Sequence, residues 1–539
     1  MKRPEQAVLD ENKDRVRPGF EAFFYALNVS GEPKSLSTAL KPAMSLELSS
    51  EEWGRCAQQA NRSALRWVAE WADDFHDKLR MNACFEYGGE YLVVRTCLDK
   101  EWPELPSQAP YYWAAGRGER HIQDLYGIRF TNHPDPRRWI RHQAWPEDGY
   151  PLLKTFPVQG QPPAETPPDV DYPFLSAEGT GVYEVPVGPV HAGIIEPGHF
   201  RFQAVGETVL NLEERLGYVH KGIEKIAEGR DPESLTRLAG RISGDTTVAH
   251  AWAACLAMER AAGVEIPPRA AYLRAIFCER ERIINHIWDM AAICNDVSFA
   301  FPFYQFGRLR EVWLRENQTC FGHRLLMDRI VPGGVGSDLN TNSIGQMQKS
   351  IRWLEKETNF IISVVDFSES LEDRLVTTGI LSADLAKKLG ALGYVGRASG
   401  QTFDVRRDAP YAPYDRFEVS VPLDEQGDVA ARFWVRFKEV KASCALLHQL
   451  LESLPDGDLR TDWKVPAPGA EGLAFVEGWR GEILSYVRFD QDNKIARFYP
   501  RDPSAINWPA LEKLVMGNIV PDFPVCNKSV NGSYSGHDL

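Results

Sequence analysis

The stretch 188–260 constrains this chain more than any other. It opens with Gly188-Pro189-Val190-His191, and His199-Phe200-Arg201-Phe202 then alternates polar and apolar residues. Gly206 supplies a turn and Thr208-Val209-Leu210 starts a return strand, so a β-hairpin is predicted. Asp245-Thr246-Thr247 supplies a helix cap, and Val248, Trp252, Cys255, Leu256 and Glu259 recur at helical spacing beyond it. Alanines at 249, 251, 253, 254 and 257 leave room for another backbone to approach. With His191 and His199 in the glycine- and proline-bounded loop and His250 on the helix, a polar cluster is predicted where hairpin and helix meet. The alternative is three satisfied structural histidines.

The 539 residues suggest at least two domains, each with room for a core. A net charge of −14 disfavours a nucleic-acid binder, because phosphate contacts need clustered Lys and Arg. The charged N-terminus lacks the apolar segment of a signal peptide, and no run of about 18 apolar residues spans a bilayer. The nine cysteines form no CxxC pair, so reduced, mostly buried thiols are expected rather than a disulfide framework.

The pattern predicts an α+β chain, with a small N-terminal α/β domain followed by a large helix-rich domain that begins with the β-hairpin. Residues 1–35 are charged and weakly periodic, a loosely held arm. Residues 36–157 mix a helix starting at Ser49-Ser50-Glu51-Glu52 with a strand at 90–95. Prolines 162, 163, 167, 168 and 173 mark 158–173 as a linker, and 174–539 form the second domain. There Pro267-Pro268 starts a helix that ends near Asn295-Asp296, and a further helix carries Arg308, Arg310 and Glu311. A glycine turn at 332–336 and a long amphipathic pair over 342–390 follow.

Several segments resemble one subunit family. They are Gly188-Pro189-Val190-His191, Glu196-Pro197-Gly198-His199-Phe200-Arg201, the segment 217–225, Leu256-Ala257-Met258-Glu259-Arg260, Gly478-Trp479-Arg480-Gly481-Glu482 and Arg501-Asp502-Pro503-Ser504. The family holds the large subunit of membrane-bound, energy-converting nickel–iron hydrogenases of the formate-hydrogenlyase type, and the quinone-site subunit of respiratory complex I. The stretch with Glu119, Arg120, Asp124 and His133 resembles the smaller complex I subunit that docks beside it. The resemblance implies two subunits fused in one chain, with a docking or fold role for those four residues.

In the hydrogenases, four cysteine thiolates in an early and a late CxxC hold nickel and iron, and soft ligands suit such a centre. Here Ser243, Thr246, Ser533 and Gly536 fall at those positions, so the resemblance implies that the nickel–iron centre is absent. The position of the complex I quinone-head tyrosine is matched by Ala254. Arg241 matches an arginine beside the partner's terminal iron–sulfur cluster, His199 the loop histidine and Asp296 an aspartate linked to it. The catalytic expectation is therefore His199, Asp296 and His191, with Arg241, His250 and Ala254 facing cofactor or acceptor. A histidine with a carboxylate partner suits proton donation to a reduced quinone.

The implied protein is an oxidoreductase subunit of the NADH:quinone oxidoreductase or hydrogenase type. It binds no cofactor tightly, docks a small subunit carrying a [4Fe–4S] cluster and passes electrons to a quinone-like acceptor. Membrane subunits would couple this to ion translocation, placing the chain in the cytoplasm, peripheral to the inner face of the membrane. A non-catalytic scaffold is the alternative, and a nickel–iron hydrogenase a remoter one. Large subunits of many such hydrogenases are trimmed beyond the late motif; this sequence stops at Leu539, so its encoded C-terminus is expected to be the mature one.

Overall fold

The computed structural model describes residues 19–28, 36–142, 145–146, 148–161, 172–191 and 195–539. Within the stretch expected to be a loose arm, Phe20–Asn28 is a packed helix that buries Phe20, Phe23 and Leu27. The rest of that stretch, and most of the expected linker, lie outside the described residues.

The N-terminal sheet is an antiparallel meander of Arg66–Phe75, Lys78–Tyr87 and Glu90–Asp99, with Ala43–Glu47 added parallel to the last strand. The helix Ser50–Arg62 begins where expected, closed by a reciprocal Ser49–Glu52 capping box. Both faces of the sheet are buried. Glu70 and Ala72 lie toward the helix Ala115–Tyr126, while Trp71 and Asp73, on the opposite face, meet the meander Glu471–Gly478, Gly481–Phe489 and Ile495–Arg501.

Stacked rings and buried ion pairs join the two halves of the chain. The Tyr91 and Phe475 rings lie parallel with centroids 3.6 Å apart. Glu482 receives both Arg66 amino groups at 3.0 Å, Arg501 at 2.7 Å and the Tyr91 hydroxyl at 2.7 Å. Burial pushes its carboxyl up, but the Arg66 and Arg501 guanidiniums outweigh that and hold it at about 2.

The motif residues of the N-terminal half shape one loop. Asp124 accepts the backbone N–H groups of Trp139, Ile140 and Arg141, and Arg120 donates to the carbonyls of Arg137 and Arg138 and to Asp135. This sets the Trp139 indole against His537, 3.3 Å away at the other end of the chain.

The second half opens with a three-stranded antiparallel sheet, Val182–Val187, His199–Val205 and Thr208–Arg215. The predicted hairpin is present, with Gly206 at φ +60°, and the strand before it adds to the sequence expectation. The helix Thr247–Ala262 also starts as expected, but its cap differs. Its first N–H groups, those of Val248 and Ala249, donate to the Glu281 carboxylate at 2.7 and 3.2 Å, leaving Asp245 free to pair elsewhere. The helix is buried nearly all round, with Leu256 only partly covered, rather than presenting one apolar face.

Pro268–Asp296 and Ala300–Phe321 match the expected helices, and Gly334 closes a tight two-stranded hairpin. The expected pair over 342–390 is one long helix, Thr341–Asp366, followed by the short helices Glu369–Leu375 and Ala383–Leu389. All nine cysteines are free; most are buried, while Cys97 is exposed. Among the described residues, no helix is long and apolar enough to cross a membrane.

Candidate functional site

The segment 241–246 and the C-terminal helix Tyr534–Asp538 meet in the interior, although nearly 300 residues separate them in sequence. Backbone donors of the 217–225 segment anchor the chain end: Val219 donates to the Asp538 carboxylate, and Lys221 and Ile223 to the Leu539 carbonyl. At the junction the Ser243 and Ser533 hydroxyls lie 2.9 Å apart. Ser533 also accepts the Gly536 N–H at 2.9 Å, and Thr246 receives the Trp479 indole N–H at 3.1 Å. The four positions matched to metal ligands therefore converge on one buried place.

Their chemistry there is that of hydrogen bonds. Ser243 donates to Asp245 at 2.6 Å, and Arg480 grips both Asp245 oxygens at 2.9 and 2.7 Å. Burial pushes the Asp245 carboxyl up, but Arg480 and the Ser243 hydroxyl outweigh it and lower it below its usual value. A Cβ added to Gly536 would stand 2.7 Å from the Asp502 carboxyl carbon, so the space of a fourth side chain is already taken. Two hydroxyls bonded to each other, a threonine that accepts from an indole and a glycine offer no soft thiolate, so these residues do not fit a nickel–iron centre. No group of three or more candidate metal ligands occurs among the described residues.

Beside this cage, His250 is wholly buried, and its Nε2 lies 2.8 Å from the Asp502 carboxylate. Burial pushes the Asp502 carboxyl up; the hydrogen bond to His250, with Arg480 nearby, more than offsets this and holds it well below the usual range. Burial raises the Glu281 carboxyl, at the start of the same helix, to about 8 even though two backbone N–H groups donate to it. From the hairpin side, exposed Glu196 accepts the Ser535 N–H at 3.0 Å, and the Ser535 hydroxyl lies 3.4 Å from that of Ser533.

The other expected residues are more scattered. His199 is buried, with Nδ1 3.3 Å from the Gly188 carbonyl and no partner on Nε2, and His191 bonds the Gly198 carbonyl at 2.8 Å. Burial lowers the His199 pKa, and Arg201 and His191 lower it further against the Gly188 hydrogen bond. Asp296 ends the long helix, half-buried; burial raises its carboxyl and Lys528 is the neighbouring charge that opposes the rise. No hydrogen bond or ion pair joins it to His199 among the described residues. Arg241 pairs with Asp328 at the surface, and Ala254 is fully buried in its helix. Of the three expected histidines, His250 is the one bonded to a carboxylate. Asp502, Arg480 and Glu196 lie within the family's motifs, but the sequence alone assigns them no role; the Asp502-Pro503-Ser504 turn is the signal available for Asp502.

Three family models match parts of the chain. Residues 296–468 match the respiratory-chain NADH dehydrogenase 49 Kd subunit, 57–162 the 30 Kd subunit, and 221–290 the nickel-dependent hydrogenases. Formate hydrogenlyase subunit 5 of Escherichia coli K12 is 32% identical over 450 residues, 83% of this chain and 79% of the relative. The chain belongs to this hydrogenase and complex I subunit family. Another relative, the C/D polypeptide of the NADH-quinone oxidoreductase of Phocaeicola vulgatus, is 31% identical over 416 residues, covering 74% of this chain and 80% of the relative. A chain of the membrane-bound sulfane sulfur reductase, an archaeal respiratory membrane complex, superposes with a TM-score of 0.63 at 24% identity. It covers 68% of this chain and 100% of that one, and the likeness is one of fold. Like the C/D relatives, this member carries the 30 Kd and 49 Kd regions in one chain.

Proposed function

We propose that this chain is the acceptor-side subunit of a membrane-bound oxidoreductase complex in which the cage serves proton-coupled reduction instead of metal chemistry. Electrons would arrive from a [4Fe–4S] cluster in a partner subunit docked near Arg241 and leave to a quinone-like acceptor at the hairpin side of the cage. Membrane subunits would couple that transfer to ion movement, with this chain peripheral to the inner face of the membrane. The reading draws on family membership and on relatives named as subunits of hydrogenase and NADH-quinone oxidoreductase complexes.

The observation that carries it is the buried His250–Asp502 pair against the hydroxyls of Ser243 and Ser533. Reducing a quinone to a quinol takes two electrons and two protons, so a site for it needs groups that hold protons out of bulk water. His250 and Asp502 form such a pair. The hydroxyls of Ser535, Ser533 and Ser243 form a line of donors and acceptors that ends on the partly exposed Asp245 carboxylate, along which a proton can be passed, and Glu196 holds Ser535 through its backbone N–H. His199, with its pKa lowered by burial and Nδ1 bonded to a carbonyl, is suited to accept a proton at Nε2.

The scaffold reading rests on the same cage: Asp245, Arg480, Ser243 and Ser533 satisfy one another, as a purely structural cluster would. Turnover of decylubiquinone by the assembled complex separates the two. Asp502→Asn and His250→Ala should each lower it by about 10²–10⁴-fold if the pair handles the proton. Unchanged turnover in both variants, with co-purification of the partners intact, would leave the scaffold as the better account.

A further inference from the structure

A second polar feature lies at the opposite end of the buried helix from the cage. The helix Thr247–Ala262 carries His250 in its first turn and Arg260 in its last, about 15 Å further along its axis. At that end a cleft of about 640 Å³ runs between the two halves of the chain. Small-molecule sites are typically about 300–1,000 Å³, so the cleft has the size of one. Ser45, Glu47 and Arg95 bring the N-terminal sheet to its wall, and Arg260, Ala470 and Glu471 bring the second half.

The wall carries more positive charge than its own carboxylates balance. Glu259, next to Arg260 in sequence, is taken by Arg274 at 2.9 and 2.6 Å. Arg260 donates from Nη1 to the Leu473 carbonyl at 2.8 Å, and no carboxylate pairs with it among the described residues. A guanidinium has five N–H donors, so most of its donors are unspent. Burial pulls the Arg260 guanidinium down to about 10, with Glu259 opposing the fall.

Arg95 is also short of partners. It is 8% exposed, holds Glu471 through Nη2, and has none on Nε. Glu471 is shared with Arg80 at 2.6 Å, and Arg80 in turn shares Asp73 with Arg488. Four guanidiniums therefore meet three carboxylates along this wall and its direct pairs, with Glu47 counted among the three. A charge withdrawn from water without a counter-ion is costly, so an anion from outside would stabilise such a wall.

We propose that this cleft binds a small organic phosphate, with the phosphoryl oxygens shared between Arg260 and Arg95. Three terminal oxygens can accept from two guanidiniums and a hydroxyl at once, whereas a carboxylate has two. Ser45 supplies the hydroxyl, which otherwise spends its proton on the Ser37 carbonyl at a long 3.5 Å. Leu40, Ala39 and Ala261 give the organic part an apolar side. The site stands apart from the acceptor reading. Because its walls come from both halves, the bound phosphate also ties the N-terminal half to the second. A soluble phosphomonoester and a phospholipid headgroup present the same phosphoryl chemistry, and the test separates them.

The test uses the purified complex. Glycerol 3-phosphate is the soluble probe, and phosphatidylcholine vesicles with phosphatidic acid, against phosphatidylcholine alone, are the lipid one. Phenylglyoxal modifies guanidiniums, and its reaction at Arg260 is read by mass spectrometry of the peptide. Saturating glycerol 3-phosphate should slow that reaction about tenfold or more. Its calorimetric affinity should fall about tenfold or more in Arg260→Gln and recover in part in Arg260→Lys. If vesicles with phosphatidic acid protect Arg260 and glycerol 3-phosphate does not, the occupant is a lipid headgroup and the site stands. Protection by neither probe overturns it, as does equal affinity in wild type and Arg260→Gln. If Arg260→Gln fails to assemble, protection of Arg260 in the wild type decides in the same way; if free Arg260 does not react, the affinities decide.

Discussion

Gly536→Ala tests whether the cage is as closed as its geometry states. The added methyl would stand 2.7 Å from Asp502 Cγ, 2.8 Å from its Oδ2 and 3.0 Å from Ser533 Cβ. Asp502 is a short side chain that bonds both His250 and the Ser504 N–H, so it has little room to yield. Overpacking of this kind costs about 1–3 kcal/mol. If Asp502 gives way instead and its buried pair breaks, the cost rises toward about 3–5 kcal/mol. Local opening of the chain end is the sensitive readout, because 1.4 kcal/mol is about tenfold in an opening equilibrium. Hydrogen exchange of the peptide 533–539 should therefore speed up by about tenfold or more in Gly536→Ala. Asp502→Ala removes the obstructing carboxyl, so in that background Gly536→Ala should add little, giving a coupling of about 1–3 kcal/mol. Exchange within about twofold of wild type in the single variant, or plain additivity in the double, would refute the claim that Asp502 fills the fourth ligand position.

Metal analysis of the purified, chelator-washed complex should find no nickel, because Ser243, Thr246, Ser533 and Gly536 do not fit that metal; about one nickel per chain would overturn this. Glu482→Gln should destabilise the contact between the halves by about 3–5 kcal/mol, since Arg66 and Arg501 lose their shared carboxylate, and should split the calorimetric transition. Because the Glu482 carboxyl falls from the ordinary 4.5 to about 2 on folding, its stabilisation is full above pH 4.5 and lost as pH falls through about 2. An acid-unfolding curve unchanged by Glu482→Gln would contradict that. His199→Ala should reduce decylubiquinone turnover and Asp296→Asn should reduce it less; no change in either removes both from the catalytic set. Ala254→Tyr places a ring where the interior is already closed and should lower stability by about 1–3 kcal/mol, read by thermal unfolding.

The hairpin was legible because alternation over 199–202 and a glycine at 206 state strand and turn locally. The meeting of Ser243 with Ser533 was legible only through motif spacing, since nothing near either serine says what lies against it. Three things were hidden for physical reasons. The helix Val429–Glu452 buries Arg432, Arg436 and Glu439 in pairs with groups far along the chain, which erases an apolar stripe. The meander of 471–501 is buried on both faces, so its strands lack polar alternation. The partner of His250 sits 252 residues away, and a carboxylate that completes a pair across that distance leaves no periodic trace. Likeness links Asp296 to His199 and says nothing of a partner for His250; packing shows that Asp502 reaches the His250 ring.

In the cage, hydrogen bonds tie together two distant segments, a structural task that a metal can also perform. A metal held by an early and a late motif ties two distant segments together, and removing its ligands would release them unless other contacts take over. Here Arg480 spans the gap, bonding Asp245 of the early segment and the Asn531 carbonyl of the late one. Trp479 donates to the Asp245 carbonyl, Ser243 meets Ser533, and Glu196 brings in the hairpin loop through Ser535. Each hydrogen bond contributes about 0.5–1.5 kcal/mol, and the charged ones about 1.5–3 kcal/mol, so several in parallel suffice to hold the segments. Metal–thiolate ties carry no exchangeable proton, whereas these ties consist of them. A site held in this way keeps its shape through hydrogen-bonding groups, and under the function proposed above the same groups would carry protons, so one set of residues would serve both roles.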